Sequence, residues 1–231
     1  MKKVGIFFIF TFYIWILVGQ NNDDGWTEVK VNTEINYDTT NLERYSSIVY
    51  SDLQEAALMP LRVFQLNLFN SSLSEFPPAL AYMTNLRLLI LKQNSIKIVP
   101  DAIGILTKLR TLDISHNQLE KISDSIGKLK HLKTLNLSYN NLHTIPNTIA
   151  NLDSLQKLYL QYNQLDSIPW SIGKMKNLRV LNLAHNNLKS LPRSIRFLTD
   201  LEVLILTGNP IDDYTRYLLK RFLKKTEIIY D

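Results

Sequence analysis

Cysteine is absent from the 231 residues, which removes disulfide caps, thiolate metal sites and cysteine nucleophiles together. Glycine is scarce, at seven residues. No G-x-S-x-G elbow, phosphate-cradling glycine loop or H-E-x-x-H pair occurs, so the usual starting points for hydrolytic, nucleotide-binding and zinc-peptidase chemistry are missing. The four histidines have no carboxylate at ligand spacing, and a bound metal or cofactor is not expected. The net charge is +5, with no long basic run outside the last stretch of chain. Nucleic acid is therefore not the expected partner.

Charge is instead unevenly spread. Residues 20–60 hold eight acidic and two basic residues, a balance of −6. Lys2 and Lys3 then leave +9 for residues 61–231. The first twenty residues place those lysines before an apolar run from Val4 to Val18, with Gly19 and Gln20 following. This is the order of a secretory signal. A helical run of this length spans only about 22 Å against about 30 Å of hydrocarbon. A cleaved signal over 1–20 is expected, with an uncleaved N-terminal anchor as the alternative. Residues 21–49 read as a polar, acidic leader in which Trp26, Tyr37 and Tyr45 are scattered.

The rest of the chain repeats. Segments beginning at Leu86, Leu109, Leu132, Leu155, Leu178 and Leu201 align without gaps at a constant step of 23, and a weaker copy precedes them at Val63. Each reads L-x-x-L-x-L-x-x-N-x-L, and most continue as I-P-x-x-I-G-x-L. Paired leucines such as Leu89 and Leu91 flank one residue, the spacing of a short strand with both pointing inward. Asn94, Asn117, Asn140, Asn163, Asn186 and Asn209 recur where the chain leaves its strand, in position to bond freed backbone groups. Pro100, Pro146, Pro169 and Pro192 fix the next bend.

This pattern resembles the leucine-rich-repeat family over residues 63–211, in the 23-residue class of Ras-suppressor-like scaffolds and many bacterial repeat proteins. The resemblance implies an α/β solenoid: a right-handed leucine-rich-repeat arc of about seven coils with a parallel concave β-sheet and helical caps. It further implies a non-catalytic module that binds a protein. A cap helix is expected over 50–62 with Ser51 or Asp52 as N-cap. A second cap over 212–231 has Tyr214, Leu218, Leu219, Phe222 and Leu223 as its buried stripe, with Ile228–Tyr230 as a candidate final strand.

The outward strand positions are those that the repeat leaves free, and they fall into rows. One contains Asp113, Asn136, Tyr159 and Asn182; the next Ser115, Ser138, Gln161 and Ala184; the third His116, Tyr139, Tyr162 and His185. His116, Tyr139, Tyr159, Tyr162 and His185 form an expected binding centre, with Asp113, Asn136 and Asn182 beside them. Ser115 and Ser138 read as solvated strand residues. His116 and His185, three coils apart, are too distant to share a metal. The basic face of the last helix reads as solvated and Trp170 as locally packed. An exported, monomeric binding protein of bacterial type is the expectation; an intracellular scaffold and a glycan or cell-wall recognition protein are the alternatives.

Overall fold

The computed structural model describes residues 3–9, 13–19 and 46–230, and the chain divides into two units, Met1–Leu42 and Glu43–Asp231. In the first, Lys3–Ile9 and Tyr13–Gly19 pair as an antiparallel hairpin. The β-branched and aromatic residues of this run suit paired strands, where the sequence reading considered one helix. Most of the leader expected over 21–49 lies outside the described residues. Among the described residues, no helix is long and apolar enough to cross a membrane.

The second unit is the repeat. Its seven coil strands are Gln65–Asn67, Leu88–Ile90, Thr111–Asp113, Thr134–Asn136, Lys157–Tyr159, Val180–Asn182 and Val203–Ile205. They pair in parallel at the 23-residue offset, as in Leu135 beside Leu158 and Leu158 beside Leu181. Two further strands complete a nine-stranded sheet: Val49–Tyr50 at one edge and Glu227–Ile229 at the other. The second is the final strand expected from Ile228 and Ile229. The first begins inside the segment read as leader, so the N-terminal cap starts earlier than expected.

Each strand buries one face. Leu89, Leu91, Leu112, Leu135, Leu158, Leu181 and Leu204 are fully buried. After the strand the asparagine ladder does its expected work. Asn140 donates from Nδ2 to the Ile114 and Leu137 carbonyls, both at 3.0 Å, and accepts the Leu119 amide at 2.9 Å. Asn163 repeats this with the Leu137 and Leu160 carbonyls and the Leu142 amide. Polar backbone that would otherwise be stranded in an apolar core is thereby partnered.

The return segments are short 3-10 turns, among them Asp101–Ile105, Asp124–Lys128, Asn147–Asn151, Trp170–Lys174 and Arg193–Phe197. A proline precedes four of these five, and five residues are too few to develop α-helical pairing. Ile103, Ile126, Ile149, Ile172 and Ile195 anchor them in the core.

Both caps are helical. Leu53–Leu58 starts at Asp52, whose Oδ1 accepts the Glu55 amide at 2.8 Å, which settles the N-cap as Asp52. Asp213–Phe222 starts at Asp212, which accepts the Thr215 amide at 2.6 Å. Leu219 and Leu223 are buried as expected, but Tyr214 is 58% exposed and leaves the predicted stripe. It sits in the first turn, where its hydroxyl meets the Arg193 guanidinium at 3.2 Å. Trp170 is also a correction: it is 65% exposed rather than packed, because it opens its turn at a position facing away from the core.

Candidate functional site

The third row of free positions has a backbone property that its residue types do not announce. Asn70, Gln93, His116, Tyr139, Tyr162 and His185 all have φ between 51° and 56°, and Gly208 closes the row at 70°. This is the left-handed region, which costs an ordinary L-residue about 1–2 kcal/mol. The turn persists because its amides are paired with the next coil. His116 N donates to the Ser138 carbonyl at 3.0 Å, Tyr139 N to Gln161 at 2.9 Å and Tyr162 N to Ala184 at 3.0 Å.

The left-handed turn throws each side chain to the sheet's outer rim, beside its counterpart in the next coil. Four rings therefore stack face to face. Centroids are 4.1 Å apart for His116 and Tyr139, 4.3 Å for Tyr139 and Tyr162, and 4.3 Å for Tyr162 and His185, with planes inclined by 10° to 15°. Such pairs contribute about 0.5–1.5 kcal/mol each, which offsets part of the backbone strain. Gly208 ends the stack: a Cβ there would run into the His185 ring. Partial desolvation, and then the neighbouring Tyr162 phenol, raise the Tyr139 pKa above its ordinary value. The Tyr139 hydroxyl is therefore a neutral donor and acceptor at physiological pH.

Of the eight residues picked from sequence, these four form one continuous surface. Tyr159 lies on the strand row and does not join the stack. Asp113, Asn136 and Asn182 occupy the same row, half-buried, and each bends back on its own chain. Their side-chain oxygens accept the amides of Ser115, Ser138 and Ala184 at 2.9 to 3.1 Å. They hold the turn on which the rings stand, while Asn136 Nδ2 also reaches Asp113 Oδ2 at 3.3 Å.

The middle row departs from expectation. Ser115 is 1% exposed, Ser138 3% and Ala184 6%, so they are not solvated strand residues. Small side chains between two bulkier rows are covered by them, and Ser138 Oγ donates to Asn136 Oδ1 at 2.7 Å. Ser115 Oγ and Gln161 Oε1 are buried without a protein partner. His131 and His143 are exposed and away from the stack. No group of three or more His, Cys, Asp or Glu able to hold a metal occurs among the described residues.

Sequence reasoning passed over the surroundings of Trp170, where Phe197 of the next coil is also exposed. The signal was available as two aromatics on adjacent turns at positions that otherwise hold charged, amide or aliphatic residues.

Among curated proteins no sequence matches this chain. A leucine-rich-repeat protein of Leptospira interrogans, solved experimentally, is similar in structure at a TM-score of 0.55 with 30% identity. The match covers 68% of this chain and 46% of that one, so the chain spans less than half the length of that relative. The profile described as "Leucine rich repeat" matches residues 62–119, 107–165 and 157–211. Together with the 23-residue coils and their asparagine ladder, these matches show that the chain belongs to the leucine-rich-repeat family.

Proposed function

We propose that this chain is a non-catalytic interaction module, exported from the cell, that binds a protein on the concave face over the row His116, Tyr139, Tyr162 and His185. The observation that carries this reading is the four-ring stack held on left-handed backbone. Strain repeated at one position in successive coils is a pointer to function. Large, rigid aromatic groups with polar tips are the side chains that dominate protein recognition. The stacking favours a protein over a glycan. A sugar packs on the open face of a ring, whereas here each inner face is covered by the next ring and Tyr139 and Tyr162 stay 40% and 42% exposed.

Tyr159 extends the surface on the strand row, and Asp113, Asn136 and Asn182 support it from below. Leucine-rich-repeat domains serve typically as interaction scaffolds, which agrees with the lack of a catalytic constellation in the sequence. The chain is read as a monomer. Residues 1–20 supply the export address.

The test uses the full chain as bait against envelope and culture-medium fractions, beside a Tyr139→Ala/Tyr162→Ala bait shown by circular dichroism to be folded at the capture temperature. A protein held by the first and lost by the second supports concave-face recognition. Equal retention by both places the site elsewhere. Mass spectrometry of the protein from its native fractions reads the address: residues 1–20 retained on a cytoplasmic protein would refute export and favour an intracellular scaffold.

A further inference from the structure

The convex side carries an anomaly of its own. The residue that opens each 3-10 turn is Asp101, Asp124 and Asn147 in successive coils, then Trp170 and Arg193. The residue that closes the turn after Trp170's is Phe197. Trp170 is 65% exposed and Phe197 41%. With Gly173, Lys174, Lys176 and Ser194 they border an open hollow of about 360 Å³. Gly173 lets the next turn pack closely behind the hollow, since a Cβ there would run into the Ser194 carbonyl.

The hollow is braced. Ser194 Oγ donates to the Trp170 carbonyl at 2.6 Å and Lys176 Nζ to the Phe197 carbonyl at 2.8 Å. It is also electropositive. Lys174 Nζ lies 6.0 Å from the Trp170 ring centre; Lys176 Nζ and Arg196 Cζ lie 5.2 and 4.7 Å from that of Phe197. No carboxylate borders the hollow. Across residues 155–200 the chain carries seven Lys and Arg against two Asp.

We propose that this hollow is a second docking site, separate from the concave face, which takes a bulky apolar side chain of an acidic protein segment. The two rings supply the apolar seat, and Lys174, Lys176 and Arg196 select negative charge around it. Single-stranded nucleic acid fits less well. It needs a charged track with successive rings for successive bases, whereas two rings border a single hollow here. The proposal does not rest on the concave-face reading, because the two sites share no residue.

The test follows the Trp170 indole N–H resonance in the ¹⁵N-labelled full chain, assigned with Trp170→Phe. The probe is a glutamate-rich peptide with one central phenylalanine. Three controls replace glutamate by glutamine, replace the phenylalanine by alanine, or substitute an oligothymidylate of equal charge. The glutamate–phenylalanine peptide should move the indole resonance in a saturable titration. Trp170→Ala, read on the labelled peptide, should weaken binding about tenfold, as should Lys174→Gln/Lys176→Gln/Arg196→Gln. Tyr139→Ala/Tyr162→Ala should leave it unchanged. The proposal is overturned by no shift at saturating peptide, by equal binding of either control peptide, or by tighter binding of the oligothymidylate. Unaltered melting of the Trp170→Ala chain excludes unfolding as the cause of a loss.

Discussion

Asn140→Ala should destabilise the repeat by about 2–4 kcal/mol, and the figure follows from which groups keep a partner. Asn140 is 6% exposed, between two coils on either side. Its carbonyl acceptors are shared: Asn117 Nδ2 also reaches the Ile114 oxygen at 3.2 Å, and Asn163 Nδ2 the Leu137 oxygen at 3.0 Å. Those oxygens lose one bond and keep another, at about 0.5 kcal/mol each. The Leu119 amide has Asn140 Oδ1 as its partner at 2.9 Å, on a fully buried residue. Stranding it costs about 1–3 kcal/mol and dominates the sum.

Asn140→Asp sharpens the test. One oxygen can still accept the Leu119 amide, but the other then faces the Ile114 and Leu137 carbonyls where a donor stood. Burial and carbonyl repulsion raise the folded-state pKa of that new carboxyl above its unfolded value. Its destabilisation is therefore full above the folded pKa and is relieved as pH falls toward the unfolded one. Urea unfolding followed by far-UV circular dichroism measures both variants, with exposed Asn141→Ala as a control expected within about 0.5 kcal/mol of the parent. A loss under about 1 kcal/mol for Asn140→Ala, or an Asn140→Asp chain as stable at neutral pH as in acid, would refute the assignment of the ladder.

Gly208→Ala should cost about 1–2 kcal/mol from its positive φ, with more from the His185 ring. Adding His185→Ala should return the steric part, and strict additivity of the two would mean that ring and glycine are not in contact. Tyr139→Gly should be less destabilising in urea than Tyr139→Ala by about 1 kcal/mol, since glycine relieves the left-handed backbone while both lose the stack. Asp212 is held below the usual carboxylate range by hydrogen bonds from the Thr215 amide first and then the Thr215 side chain. Its capping contribution is present above the unfolded pKa and fades as pH falls through the lower folded one. Asp212→Asn keeps the cap but should flatten that acid limb in a pH series of melting temperatures, and an unchanged limb would assign it to other carboxylates.

Much of this architecture could be read from the residues because burial dictates them. A leucine at Leu112 or Leu135 and an asparagine at Asn140 each answer a requirement that recurs at every coil, so the 23-residue step exposes them. The rows outside the core were less legible. Strand alternation places Ser115 on the same face as Asp113, yet the bulk of its neighbours covers it, and that depends on three coils at once. The left-handed turn was hidden because Tyr139 and His185 are poor indicators of positive φ. Asn70 and Gly208, at the two ends of the same row, were the better witnesses. Val49 and Tyr50 escaped notice because a two-residue strand has no period to detect.

The identical spacing of successive coils makes the molecule's length a matter of counting. Excision of residues 132–154 would set the coil of Leu109 directly against that of Leu155, and the seam would be remade from the same leucines and asparagines. His116 would then meet Tyr162, giving three rings in place of four. The span of aromatic surface offered to a partner can thus be lengthened or shortened in whole steps of one ring, while the joint between any two coils is left chemically the same.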